Sequence, residues 1–248
     1  MATNSSIEWT EVTWNPTAGC TVISPGCTNC YAMRLAPRLE AFGQPKYQGL
    51  TFKSGGRSKW NGTVRIDENS LEFPFTLMKG KRIFVNSMSD LFHEEVLLSD
   101  IHRIFEVMRA CPQHTFQILT KRAERLEELS AHLDWPENVW MGVSIENADY
   151  SFRANHLRRT GAVTKFLSLE PLLGPLDDLN LNSIDWGIVG GESGPGARPM
   201  DASWVQSIRD QCVDAGVAFH FKQWGGVNKK KTGRILDNRT WDEFPVAA

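Results

Sequence analysis

Short apolar runs rich in β-branched and aromatic residues recur along this chain, and between most of them the apolar positions shift to helical spacing. Arg82–Asn86, Thr115–Thr120, Val139–Ser144, Lys165–Leu169, Trp186–Val189 and Ala218–Phe221 read as buried strands, and Trp9–Trp14 as an earlier first strand. Among the intervening segments, Ile101, Ile104, Phe105 and Met108 share one face of a helix that Ser99 or Asp100 can cap. Ala123, Leu126 and Leu129 lie on a second helix ending near His132. Asp149–Arg159 reads as a third, and Val205, Ile208 and Cys212 follow an Asp201 cap on a fourth. Tyr31–Phe42 is helix-compatible, with Pro37 interrupting it or forcing a new start. Residues 43–75 have no clear period and are rich in Gly, Lys and Ser. They read as an excursion over one barrel mouth, with a hairpin at Thr63–Ile66.

Strands alternating with helices imply parallel pairing through right-handed crossovers. Six to seven such units predict an α/β fold, a full or partial β/α (TIM-like) barrel of parallel strands in a single domain over residues 1–248. An N-terminal loop (15–31), the excursion (43–75) and a tail (225–248) that folds back or stays mobile complete it. The connection from Glu170 to Asp185 has no convincing helix, which argues against a regular eightfold barrel.

Hydrophobic content of 41% and charged content of 23% are ordinary for a globular protein. Met1–Glu8 is polar and does not read as a signal peptide, and no apolar run approaches membrane-spanning length. These features predict a cytoplasmic protein without a membrane partner. A net charge of −2 gives no global attraction to nucleic acid. Basic residues do cluster locally, at Lys79–Arg82, Lys121–Arg125, Arg153–Arg159 and Lys229–Lys231, in patterns that also suit solvated helix faces.

The most specific chemistry lies in the N-terminal loop. Cys20, Cys27 and Cys30 are spaced C-x6-C-x2-C among Gly19, Pro25 and Gly26, which mark turns rather than a regular element. A loop can bend several thiolates toward one point. Three cysteines leave three readings open: a 4Fe–4S cluster with one open iron, a zinc site completed by His93, His114, His220 or Cys111, or a disulfide. Cys111 ends a helix and Cys212 shares an apolar helical face, so both read as core residues.

The run Asn15-Pro16 to Gly19-Cys20, closing on Cys30-Tyr31-Ala32, resembles the cluster loop of radical S-adenosylmethionine enzymes, and most of all the spore photoproduct lyase branch. The whole chain also resembles a phage- or prophage-encoded family near that branch. The resemblance implies a 4Fe–4S cluster on Cys20, Cys27 and Cys30. It further implies S-adenosylmethionine on the open iron, a reducing donor of flavodoxin or ferredoxin type, and generation of a 5′-deoxyadenosyl radical. The branch suggests action on a nucleic acid base or nucleotide, in lesion repair or modification. The alternatives are a non-catalytic zinc-binding barrel and a cluster with a redox or structural role.

In barrels the active site sits at the carboxyl ends of the strands. Nearly every predicted strand here ends in groups that bond or ionise. Ser89 and Asp90 would serve the methionine end of the cofactor, Lys121 its carboxylate, and Ser144 and Glu146 its ribose, as the resemblance also suggests. Arg122, Glu170, Glu192, Lys222 and Gln223 are candidate substrate contacts, with Lys121, Arg122 and Lys222 suited to phosphates. Gly190-Gly191-Glu192 reads equally as a close approach to a ligand or as a tight turn with an exposed carboxylate.

Overall fold

The computed structural model describes residues 3–5 and 7–246. Seven parallel strands follow chain order across one sheet: β1 (Val12–Trp14), β2 (Arg82–Val85), β3 (Thr115–Thr120), β4 (Val139–Ser144), β5 (Thr164–Leu169), β6 (Trp186–Gly190) and β7 (Ala218–Gln223). Helices α2 (Leu98–Ala110), α3 (Ala123–Ser130), α4 (Arg153–Arg158) and α5 (Ala202–Asp214) lie in the connections, and α1 (Tyr31–Ala41) follows the cysteine loop.

Side-chain alternation divides each strand between two faces. Ile83, Val85, Phe116, Ile118, Val139, Met141, Val143, Leu167, Leu169, Phe219 and Phe221 join the helices in the main core. There they meet Ile101, Ile104, Phe105 and Met108 of α2 and Val205, Ile208 and Cys212 of α5. Full burial of each such aliphatic side chain contributes about 1.5–3 kcal/mol. The other face is concave. Trp9, just before β1, packs on Phe84 of β2 at 4.8 Å, Phe166 of β5 at 6.3 Å and Trp186 of β6 at 6.2 Å between ring centroids. A single indole reaches strands that far apart in sheet order only if the sheet curls around it.

The result is a half-barrel, because both sheet edges are taken. Thr3–Asn4 pairs antiparallel with β1. On the other side the tail runs along β7, with Phe221 N donating to Trp241 O and Glu243 N to Phe219 O. Capping both edges removes the backbone groups through which β1 and β7 would otherwise close the barrel. The tail therefore folds back. Its Phe244 stacks on Trp186 and plugs the end opposite the cysteine loop.

Several boundaries differ from the pattern reading. β1 is shorter than Trp9–Trp14, since Glu8 and Trp9 form a turn and the strand begins only at Val12. Pro37 lies inside an unbroken α1. The hairpin of the excursion is Thr51–Ser54 with Arg57–Trp60, while Arg65–Ile66 pairs with Thr17–Ala18. α2 starts at Leu98 without a side-chain cap, so neither Ser99 nor Asp100 serves as one. Asp201 does cap α5, accepting from Ser203 N at 2.8 Å. Residues 170–185 hold no helix, as their pattern indicated.

Candidate functional site

The cysteine loop leaves β1 and crosses the carboxyl-end mouth of the half-barrel. Gly19 makes the departure possible: its φ is +100°, and a Cβ there would lie 2.1 Å from the Thr63 carbonyl oxygen. Its N–H donates to Met88 O at 3.3 Å, so the loop starts beside the end of β2. A single 3-10 turn, Pro25–Cys27, then brings the chain to Cys30, immediately ahead of α1.

Each part of the loop is tied to a different strand end. Thr21 Oγ1 accepts from Arg122 Nη2 at 2.5 Å and pairs with His93 Nε2 at 3.1 Å. His93 Nδ1 accepts from Glu95 N, so Nε2 carries the proton and donates to Thr21. Ser24 donates to Glu146 Oε1 at 2.5 Å. Asn29 Nδ2 donates to Glu192 Oε2 at 2.9 Å, and Arg198 Nη2 reaches Pro25 O at 2.9 Å. The Tyr31 hydroxyl donates to Ser87 O. Gly26 lies directly on Glu146, where a Cβ would come within 2.4 Å of Oε1. The loop is thus fixed by tertiary contacts along its whole length.

The carboxylates that do the fixing are buried and fully partnered. Asp90 accepts from Phe92 N, Thr120 Oγ1, Lys121 N and Arg122 Nη1. Glu146 faces Arg153 Nη1 at 2.8 Å and Lys121 Nζ at 3.3 Å. Burial pushes the Glu146 carboxyl up, but Lys121, Ser24 and Arg153 outweigh it and hold it below the ordinary carboxylate range. The same balance lowers Glu170, between Lys222 and Gln223, and Glu192, which Arg198 and Asn29 hold.

The three thiols are free, half-buried, and carried on this one loop. Burial pushes Cys20 up to about 12 and also raises Cys30; each is raised further by the neighbouring thiolates. Two features oppose that trend. Arg122 Nη1 lies 3.8 Å from Cys20 Sγ, and the Ala32 and Met33 amides at the start of α1 favour the Cys30 thiolate. Among the described residues no three His, Cys, Asp or Glu side chains converge tightly enough to hold a single metal ion. For scale, sulfurs on one zinc at ~2.3 Å from the metal lie about 4 Å apart, whereas thiolates on separate irons are spaced more widely. Three soft ligands in a half-buried loop, with Arg122 beside Cys20 to offset thiolate charge, fit an iron–sulfide cluster in donor chemistry.

Below the loop, the concave wall turns polar. Glu170 of the β5 end pairs with Lys222 of β7 at 2.8 Å, across the intervening β6. Gly190 leaves that bridge room, since a Cβ there would meet Gln223 Nε2 at 2.9 Å and Glu170 Cδ at 3.1 Å. Around the same mouth Asn86 Nδ2, Asn147 Oδ1, Ser193 Oγ and Gln223 Oε1 are buried without a hydrogen-bond partner. Orphaned polar atoms of this kind call for a ligand or water.

The sequence-predicted residues divide accordingly. Cys20, Cys27 and Cys30 share one loop, which Arg122 and Glu146 contact and Lys121 approaches through Glu146, and Glu170, Lys222 and Gln223 form one cluster. Ser89 bonds Thr17, and Asp90 and Glu146 are saturated by protein partners, so these three fix the loop and offer no open acceptor. Ser144 is buried under the mouth. Lys121, Arg122 and Lys222 are all engaged in ion pairs, which removes the free cations expected for phosphates. Glu192 is buried, contrary to the exposed-turn alternative. Thr21, Ser24, Asn29, Arg153 and Arg198 escaped the pattern reading, because nothing in their spacing marks a partner 100 or more residues away in most cases.

These features define a class: an α/β half-barrel with three thiols strapped across its carboxyl-end mouth. Within it, the chain belongs to the family described as "Protein of unknown function (DUF5131)", which matches residues 4–245. No curated protein and no solved structure matches the chain. Among the described residues no helix is long and apolar enough to cross a membrane.

Proposed function

We propose that this protein is a radical S-adenosylmethionine enzyme in which Cys20, Cys27 and Cys30 hold a 4Fe–4S cluster above the half-barrel. The observation that carries the proposal is the thiol loop itself, pinned to successive strand ends over a concave wall with unpartnered polar atoms. When bound, the cluster and S-adenosylmethionine would supply a reductively generated 5′-deoxyadenosyl radical.

This chain's own residues do the rest. Arg122 offsets negative charge at Cys20, and Asp90 with Glu94 keeps its guanidinium in place. Ser24 and Gly26 seat the loop on Glu146, and Asn29 seats it on Glu192, so the thiols are held in place over the mouth. Asn86 Nδ2 is an open donor and Gln223 Oε1 an open acceptor for the cofactor's polar groups. The Glu170–Lys222 bridge offers charge of both signs to a substrate on the concave wall. The electron would come from a reduced flavodoxin- or ferredoxin-type donor.

Anaerobic reconstitution with iron and sulfide tests the reading. The expected product is brown, holds about four irons per chain, and cleaves S-adenosylmethionine under reductant. A colourless protein with one tightly held zinc would replace it with the zinc-staple reading. Iron without cofactor cleavage would replace it with a redox or structural role.

A further inference from the structure

Charge is distributed very unevenly along the chain. Residues 31–66, which make α1 and the Thr51–Trp60 hairpin, hold seven Lys and Arg against one carboxylate, Glu40. The remaining residues hold 20 cations and 28 carboxylates. A local charge of +6 therefore stands against −8 elsewhere, within a chain whose total is only −2.

The fold gathers these cations into one lobe. α1 and the hairpin share a small core of Ala32, Met33, Ala36, Tyr47, Leu50 and Trp60, against which Cys20 and Cys30 also pack. Among the described residues, Lys46 pairs with Asp67, but Arg38, Lys53, Arg57 and Lys59 are exposed and make no ion pair. This is the reverse of the mouth, where Lys121, Arg122, Arg153 and Lys222 are consumed by Asp90, Glu146 and Glu170. In the hairpin register Phe52 faces Lys59, and Ser54 faces Arg57, so these four lie on one side while Trp60 turns inward. Phe52 is 50% exposed on that outer side, and Phe42 at the end of α1 is 81% exposed. The strip ends at the cysteine loop, where Arg57 Nη1 donates to Asn29 Oδ1 at 3.2 Å.

The geometry points to this lobe as a docking surface for single-stranded nucleic acid, with its far end at the barrel mouth. Unpaired cations would follow the phosphates and the exposed phenyl rings would stack with bases. The acidic remainder of the molecule repels a polyanion and so directs it to the lobe. A single strand is favoured over a duplex because a base must leave the stack to enter a concave pocket. Docking rests on charge and exposure alone; delivery of a base to the mouth rests on the function proposed above.

The test is fluorescence anisotropy of a labelled single-stranded oligonucleotide with the full chain, prepared without oxygen, across a salt series. The triple variant R38A/R57A/K59A should weaken binding at least tenfold and flatten the slope of log K against log salt by about two. F52A should weaken it several-fold without changing that slope. Unchanged iron content and thermal midpoint would show that both variants keep the fold. No binding by the native chain, equal binding by the triple variant, or capture of heparin with no effect of F52A would overturn the inference. A protein that binds the oligonucleotide but holds no cluster keeps the docking surface and loses the proposed chemistry; a cluster-bearing protein that ignores the oligonucleotide does the opposite.

Discussion

A few side chains carry the account at the residue scale. Arg122 is buried between Asp90, Glu94, Thr21 and Cys20, and removing a partner from a buried ion pair is costlier than losing an exposed one. Asp90→Asn should destabilise the protein by about 3 kcal/mol, at the lower end of the usual range because Glu94 still faces the guanidinium. Urea unfolding of the two proteins measures the difference. Cys27→Ala should abolish cluster retention while circular dichroism stays near native, because Cys27 is only half-buried in a loop outside the main core. Unchanged iron content in that variant would remove it from the ligand set. That the three cysteines fall on one irregular loop was legible from spacing and turn residues alone. The roles of Asp90 and Glu146 were not, since a carboxylate at a strand end looks the same in sequence whether it binds a ligand or fastens a loop.

For single elements, the loop depends on two glycines for different reasons. Gly19 needs a left-handed backbone beside the Thr63 carbonyl, whereas Gly26 needs only space against Glu146. Gly19→Ala should therefore displace the loop outright, and Gly26→Ala should cost about 1–3 kcal/mol by overpacking. Thermal midpoints and iron retention separate the two: both fall for Gly19→Ala, with the smaller change for Gly26→Ala. The long strands were legible because their apolar runs are continuous; β3 and β4 match the pattern residue for residue. The excursion was not legible. Its hairpin carries an exposed Phe52 among polar residues on the outside and is anchored by one buried Trp60, too little alternation to reveal a register.

Across the whole molecule, the mouth is held by carboxylates of three separate strand ends, Glu146, Glu170 and Glu192, all held below the ordinary range. A carboxyl lowered on folding stabilises fully above its unfolded value of about 4.3, and that stabilisation is lost as pH falls through the lowered value. The urea midpoint should be flat from neutral pH to about 5 and fall steeply below about 4. Glu146→Gln should reduce the fall. A midpoint that stays unchanged below about pH 4 would mean that the three carboxylates do not hold the mouth. Overall architecture followed from the strand–helix rhythm, but the open edge did not, because closure is prevented by backbone pairing of a tail with no strand signature. The basic lobe was equally hidden, its cations being scattered over residues 31–66 without a run.

Metal content decides most directly whether the thiol loop is a reactive centre. Protein purified without oxygen should contain about four irons with matching sulfide, and adding S-adenosylmethionine should perturb the reduced cluster's electron paramagnetic resonance signal. One zinc per chain, or a cluster signal indifferent to the cofactor, would contradict the account.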